Sequence, residues 1–160
     1  MIDLRPAGPG DHDFLWSVQW RALGSYVTEA FGTGEAEQRA FFDEHHDISW
    51  SRIVVVDGVD AGVLAWWSRD DHWYLGTIGL LSPFQERGVG RRLIGRLLAD
   101  ADEAGVAVRL QVLRSNDRAR ALYERLGFRV DSATGTHQQM ERRPGGDPRP
   151  VSAPDEAGWR

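Results

Sequence analysis

Residues 85–90, Gln85-Glu86-Arg87-Gly88-Val89-Gly90, carry the clearest chemical signal in the chain. They stand where an apolar run ending near Leu81 gives way to a helical pattern, so two glycines fall at a strand-to-helix turn. Glycine there lets the backbone approach a ligand closely. The first N–H groups of the following helix, at its positive dipole end, face outward with no intrahelical partner. Arg87, Arg91, Arg92 and Arg96 add positive charge close by. The chemistry this spacing offers is the binding of a phosphate or a small polyphosphate.

The rest of the sequence excludes several owners of such a seat. The glycine spacing is Gly-x-Gly followed by Gly95, and no acidic residue closes a plausible second strand, which disfavours a dinucleotide fold. No Gly-Lys-Ser/Thr is present, which excludes a P-loop. Cysteine is absent, so disulfides, thiolate metal sites and a cysteine nucleophile are excluded. Lysine is absent too: all 19 basic residues are arginine, and Schiff-base and lysine-base chemistry go with it. The formal charge of −5 argues against a nucleic-acid partner. No apolar run approaches the roughly 20 residues of a membrane helix, and residues 1–6 lack the features of a signal peptide, so the expected location is the cytoplasm with no membrane partner. Glu44-His45-His46-Asp47 suggests a metal, but adjacent histidines on a helix diverge by about 100° and no second cluster completes a set, so no metal is assigned.

A chain of 160 residues supports one domain, here residues 1–142, and from 143 onward the Pro, Gly, Ser and Asp content predicts a disordered tail with Trp159 exposed. Residues 2–5 read as a strand. Asp11 or Asp13 can cap a helix with Phe14, Leu15, Val18 and Leu23 near helical spacing, which Gly24 is expected to loosen or end. A second helix over 35–45 should turn Phe41 and Phe42 inward. Residues 52–56, an Asp57-Gly58 turn, 61–67 and 73–81 read as an antiparallel meander, in which Gly76 and Gly79 mark a bulge or a close backbone approach. Leu93, Ile94, Leu97, Leu98 and Ala101 define a one-faced helix over 89–104, and the strand at 106–113 follows it as a parallel crossover. Asn116 can cap a further helix carrying Ala119, Leu122, Tyr123 and Leu126 inward, with Gly127 at its left-handed end. Residues 128–131 and 136–142 give two last strands.

At this point the chain resembles the GNAT-type N-acetyltransferase superfamily. The acetyl-CoA motif of that family, Gln/Arg-x-x-Gly-x-Gly/Ala at the start of the central helix, is matched at every fixed position by residues 85–90. Its second motif, an asparagine followed by a helix ending in Leu-Tyr-x-x-Leu-Gly-Phe, is matched by Asn116 and by residues 122–128. The implied fold is α/β: a single GNAT-like domain with a mixed, mostly antiparallel six- to seven-stranded sheet, a splayed central strand pair and about four helices. The implied activity is acetyl-CoA-dependent N-acetyl transfer to a primary amine of a small molecule or an exposed protein amine, by direct attack in a ternary complex. A non-catalytic acyl-CoA-binding sensor is the alternative. The implied partners are the small-molecule or peptide amine acceptor, with a homodimer left open.

The resemblance also distributes roles. Leu80, Leu81, Gln85, Arg87, Gly88, Val89, Gly90, Arg91, Asn116 and Tyr123 would hold acetyl-CoA, with its pantetheine arm inserted beside the exposed strand backbone near Gly79-Leu80-Leu81. The N–H of Leu80 would polarise the thioester carbonyl, unless ordinary sheet pairing uses it. Tyr123 would protonate the departing thiolate, unless it is a core residue. Many relatives carry a glutamate base eleven residues before the motif, where this chain has Tyr74. Glu29, in the segment expected to border the acceptor cleft, is the substitute base, with ordered water as the other route. The family's usual proline three residues before the motif is replaced by Ser82, with Pro83 one position later.

Overall fold

The computed structural model describes residues 1–145. In chain order the elements are β1 (Ile2–Pro6), α1 (His12–Phe31), α2 (Glu35–His45), β2 (Ser51–Val56), β3 (Val59–Ser68), β4 (His72–Leu80), α3 (Val89–Ala104), β5 (Ala107–Leu113), α4 (Asp117–Arg125), β6 (Arg129–Ala133) and β7 (His137–Arg142). The strands form one sheet in the order β1-β2-β3-β4-β5-β7-β6, antiparallel throughout except for the parallel pair β4–β5 that α3 connects. This is the expected mixed α/β architecture.

The period of two in the strands decides which helix covers which face. Val54, Val56 and Leu64 pack with Leu93, Ile94, Leu97 and Leu98 of α3 and with Leu122 and Leu126 of α4. Their neighbours Ile53 and Val63 pack with Leu15 and Val18 of α1 and Phe42 of α2. Each fully buried aliphatic side chain of this kind contributes about 1.5–3 kcal/mol. The β2–β3 hairpin turns on Asp57 at φ 49° and Gly58 at φ 83°, the left-handed pair that a tight hairpin requires.

Gly76 is the extra residue of a bulge: Ala65 pairs with Thr77 and Trp66 with Leu75, and a Cβ on Gly76 would meet the Trp67 ring at 2.4 Å. Glycine at 76 therefore answers to a tryptophan. The same logic corrects the expectation for Gly24. Helix α1 runs through Gly24 to Phe31, because a Cβ there would lie 2.8 Å from the Trp20 ring, so glycine makes room for an indole instead of ending the helix. Gly32, at φ 67°, ends it.

Other expectations shift in detail. Phe41 is exposed, while Phe42 alone of the pair is buried. Asp11 stands at the cap position of α1, but its carboxylate accepts from Arg5 and from the N–H of Gly8 instead of capping the helix. Residues 143–145, expected in the tail, form a turn in which the Gly145 N–H donates to Asp102 Oδ1 at 3.0 Å. The remainder of that tail, 146–160 with Trp159, lies outside the described residues. Among the described residues no helix is long and apolar enough to cross a membrane.

Candidate active site

Strand β4 pairs with β5 only at residues 72–75, opposite 107–110, and then continues to Leu80 beside β3 alone. The central pair is splayed. The N–H of Leu81 donates to Ala61 of β3 at 2.8 Å. Because backbone groups alternate sides along a strand, the N–H and C=O of Leu80 face the other way, toward the side β5 has left. The carbonyl there accepts from Gln85 Nε2 at 2.8 Å. The Leu80 N–H is thus directed into the gap, where β5 does not complete the ladder. Leu81 differs, since its N–H serves Ala61 and its carbonyl accepts from Phe84. Both backbone groups of Leu81 thus have partners within the protein, unlike the N–H of Leu80.

The glycine turn follows directly. Gly88 precedes α3 at φ 73°, and Glu86 also takes a positive φ of 59°. The first helical bond runs from the Arg92 N–H to the Gly88 carbonyl at 3.1 Å, which leaves the N–H groups of Val89, Gly90 and Arg91 without intrahelical acceptors. A solvated helix usually places acidic residues in this first turn. Here there is none, and the exposed Arg91 and Arg92 add positive charge to the positive dipole end. Arg87 lies over the Phe84 ring at 5.9 Å. Outward amides, a glycine with open space where a Cβ would stand and arginines beside them fit a pyrophosphate. Gln85 enters this seat differently from the expectation: its side-chain amide braces Leu80 and its backbone N–H serves Ser82.

A cavity of about 430 Å³ opens where β4 and β5 part, bounded by those strands and by α1, α2 and α4. Asn116 and Tyr123 line it together with Thr77 and Ile78 of the splayed stretch. Asn116 is buried and accepts from the Ala119 N–H at 3.1 Å, capping α4. Tyr123 is buried against Phe128, with ring centroids 5.5 Å apart, and burial pushes its phenol well above the ordinary value of 10. The helix end that holds it closes with the Gly127 N–H on Glu124 and the Phe128 N–H on Tyr123, with Gly127 left-handed as expected.

Glu29 is not brought to the cavity. Residues 23, 27 and 31 of α1 line it, and position 29 lies about 200° around the helix from 27, exposed on the opposite side. The ionisable side chains that do line it are His45, His46, Asp47, Tyr74, Tyr123 and His137. His46 is half-buried, stacked on Phe42 with ring centroids 4.3 Å apart, and its Nε2 lies 3.1 Å from Ser51 Oγ. Burial, assisted by His12, pushes its pKa below the ordinary 6.5, so it is neutral at pH 7. No sequence spacing announces these groups, since they come from four separate stretches. Among the described residues no group of three or more His, Cys, Asp or Glu stands together as a metal site.

Comparison with known proteins places this geometry. The model of the acetyltransferase (GNAT) family matches residues 14–128. The N-alpha-acetyltransferase RimI of Mycobacterium tuberculosis is 42% identical over 79 residues, covering 45% of this chain and 49% of that protein. An uncharacterised N-acetyltransferase of Schizosaccharomyces pombe is 30% identical over 123 residues, covering 76% of this chain and 44% of its own length. The chain thus spans about half the length of these curated relatives. The PaiA N-acetyltransferase of Thermoplasma acidophilum, solved in complex with coenzyme A, shares the fold with a TM-score of 0.63 at 18% identity, over 89% of this chain and 99% of that one. With the family match running from α1 through the end of α4, the chain belongs to the GNAT acetyltransferase family.

Proposed function

We propose that this chain transfers acetyl from acetyl-CoA to a primary amine of a small molecule or an exposed protein amine, by direct attack in a ternary complex in the cytoplasm. One observation carries the reading. The cavity that Asn116, Tyr123 and residues Thr77 and Ile78 of splayed β4 line is also bordered by α1 and α2, which supports room for an acceptor beside the acetyl end of the donor. A CoA sensor needs no second compartment. Coenzyme A in the PaiA structure and the acetyltransferase names of the relatives support the same reading.

Acetyl-CoA supplies an activated acetyl thioester; the chain supplies position, charge and protons. The amides of Val89, Gly90 and Arg91, with Arg87 and Arg91 beside them, hold the pyrophosphate. The Leu80 N–H donates to the acetyl oxygen as negative charge develops there. Asn116 orients the pantetheine side of the slot. Tyr123 gives the departing sulfur its proton, and its raised pKa keeps that proton in place until a thiolate forms. An alkyl ammonium has a pKa of about 10 and must lose a proton before it attacks. His46, neutral at pH 7 and held by Ser51 and Phe42, takes that proton directly or through water.

The test is thermal stabilisation by acetyl-CoA and CoA, followed by thiol release across a panel of amines. Stabilisation with thiol release supports transfer. Stabilisation without release from any amine favours the sensor, and no stabilisation removes the CoA reading.

A further inference from the structure

The acceptor end of the cavity has two aromatic walls. Trp50, Trp67 and Tyr74 form one as a continuous stack, with ring centroids 4.5 Å apart for the first pair and 5.0 Å for the second. Trp16 and Phe42 form the other, 5.4 Å apart. Three aromatic side chains at the cavity, Phe31, Phe41 and Trp50, are exposed by 49%, 60% and 39%, and among the described residues no other Phe or Trp is classed as exposed. The exposed aliphatic side chains Met1, Leu4, Val59 and Val130 lie elsewhere, so it is the exposed aromatic surface that gathers at the cavity, where it can receive an apolar partner.

The charges are as selective as the rings. No arginine lines the cavity, although arginine is the only basic residue besides histidine in the whole chain. Arg39 lies over the Trp16 ring but is held by Asp13 and Asp43, and Arg69 lies over Trp67 outside the lining. The one carboxylate of the lining is Asp47. A ligand carboxylate placed here would meet that negative charge and no fixed cation, and burying it unpaired is costly. An ammonium placed here is desolvated by the rings, which lowers its pKa toward the range where neutral His46 can take its proton.

Resting on the transfer reading above, we propose that the acceptor is an arylalkylamine: an aromatic ring joined by a short chain to a primary amine, without a carboxylate. The ring lies against the aromatic walls, where offset or edge contacts with tryptophan favour it over an aliphatic body of equal size. The amine reaches toward the Tyr123 end of the cavity. A cavity of about 430 Å³ that must also take the acetyl end of the donor leaves room for a small acceptor only.

The experiment uses the full chain with acetyl-CoA and matched acceptors: 2-phenylethylamine against phenylalanine, tryptamine against tryptophan, with butylamine and a short peptide bearing a free N-terminus. Thiol release gives kcat/KM, and calorimetry of each amine on the CoA-loaded protein gives binding independent of turnover. The expected result is an arylalkylamine kcat/KM about 100-fold above that of the amino acid with the same ring, and above butylamine and the peptide. Trp67→Leu should raise the amine KM about 10-fold with acetyl-CoA affinity unchanged. Trp50→Ala, at the exposed rim, should act in the same direction without endangering the fold. Equal or better turnover of the amino acids, butylamine or the peptide overturns the proposal and leaves transfer standing. Tight binding of arylalkylamines with no thiol release from any amine supports the cavity assignment and overturns transfer. Neither binding nor release overturns both.

Discussion

Gln85 donates its side-chain amide to the backbone carbonyl of Leu80 at 2.8 Å, tying the glycine turn to the last residue of β4. The bond sets the anion seat and the outward Leu80 N–H in one frame. Removing it by Gln85→Ala should cost about 0.5–1.5 kcal/mol, which is roughly a 2- to 13-fold rise in the acetyl-CoA Kd by calorimetry. Gln85→Glu should be worse than Ala, because a carboxylate would face the Leu80 carbonyl oxygen. An alanine variant with unchanged affinity would remove this brace from the binding machinery.

Gly88 and Gly105 make a controlled pair at the two ends of α3. They take φ of 73° and 69°, and a Cβ on either would meet no atom within 4 Å. Alanine at each should therefore lower stability by the same roughly 1–2 kcal/mol of left-handed strain. Only Gly88→Ala should weaken acetyl-CoA, by more than about 10-fold, because its methyl enters the space the pyrophosphate needs. Thermal melts and calorimetry on both variants check the separation.

Tyr123→Phe keeps the ring against Phe128 and removes the proton donor. The expected outcome is a loss of about 100-fold in kcat with acetyl-CoA affinity nearly intact. Burial raises the phenol above its ordinary value of 10, so the proton is retained through neutral and mildly alkaline pH. The wild-type rate should accordingly show no alkaline decline from this group below about pH 10. Steady-state rates from pH 6 to 10 test it.

His46 should govern the acid side. Its folded pKa lies below 6.5 through burial and the neighbouring His12, with Asp47 opposing. The rate should fall as pH drops through that lowered value, and His46→Asn should lose about 10- to 100-fold at pH 7.5 together with that limb. Stability has the matching sign. The unfolded chain binds the proton first, so stability present above pH 6.5 is lost as pH falls through the folded value, and the asparagine variant should not show this component of the loss. Rate profiles and melting temperatures across pH 4.5 to 7.5 report both.

What could be read from the sequence was whatever local geometry encodes. The stripe from Leu93 to Ala101, the Asp57-Gly58 hairpin and the Gly127-Phe128 helix end each need only neighbouring residues, and all stand in the structure. The open side of Leu80 was harder, because it depends on the register of β4 against β3 and on where β5 departs. Gly24 misleads for the same reason: its role is set by the ring of Trp20, not by glycine's low helix propensity. The cavity was least legible. His46, Tyr74, Tyr123 and His137 lie far apart in the chain and meet only after the sheet forms.

The most direct test of transfer through the joined cavity is a stoichiometric reaction of acetyl-CoA-loaded protein with an amine panel, measuring free thiol, N-acetylated product and protein mass in the same sample. Direct attack predicts one thiol for each N-acetylamine and a protein mass that never gains an acetyl group. Acetyl-CoA that binds but releases no thiol with any amine, or an acetylated protein that forms before product, would contradict it.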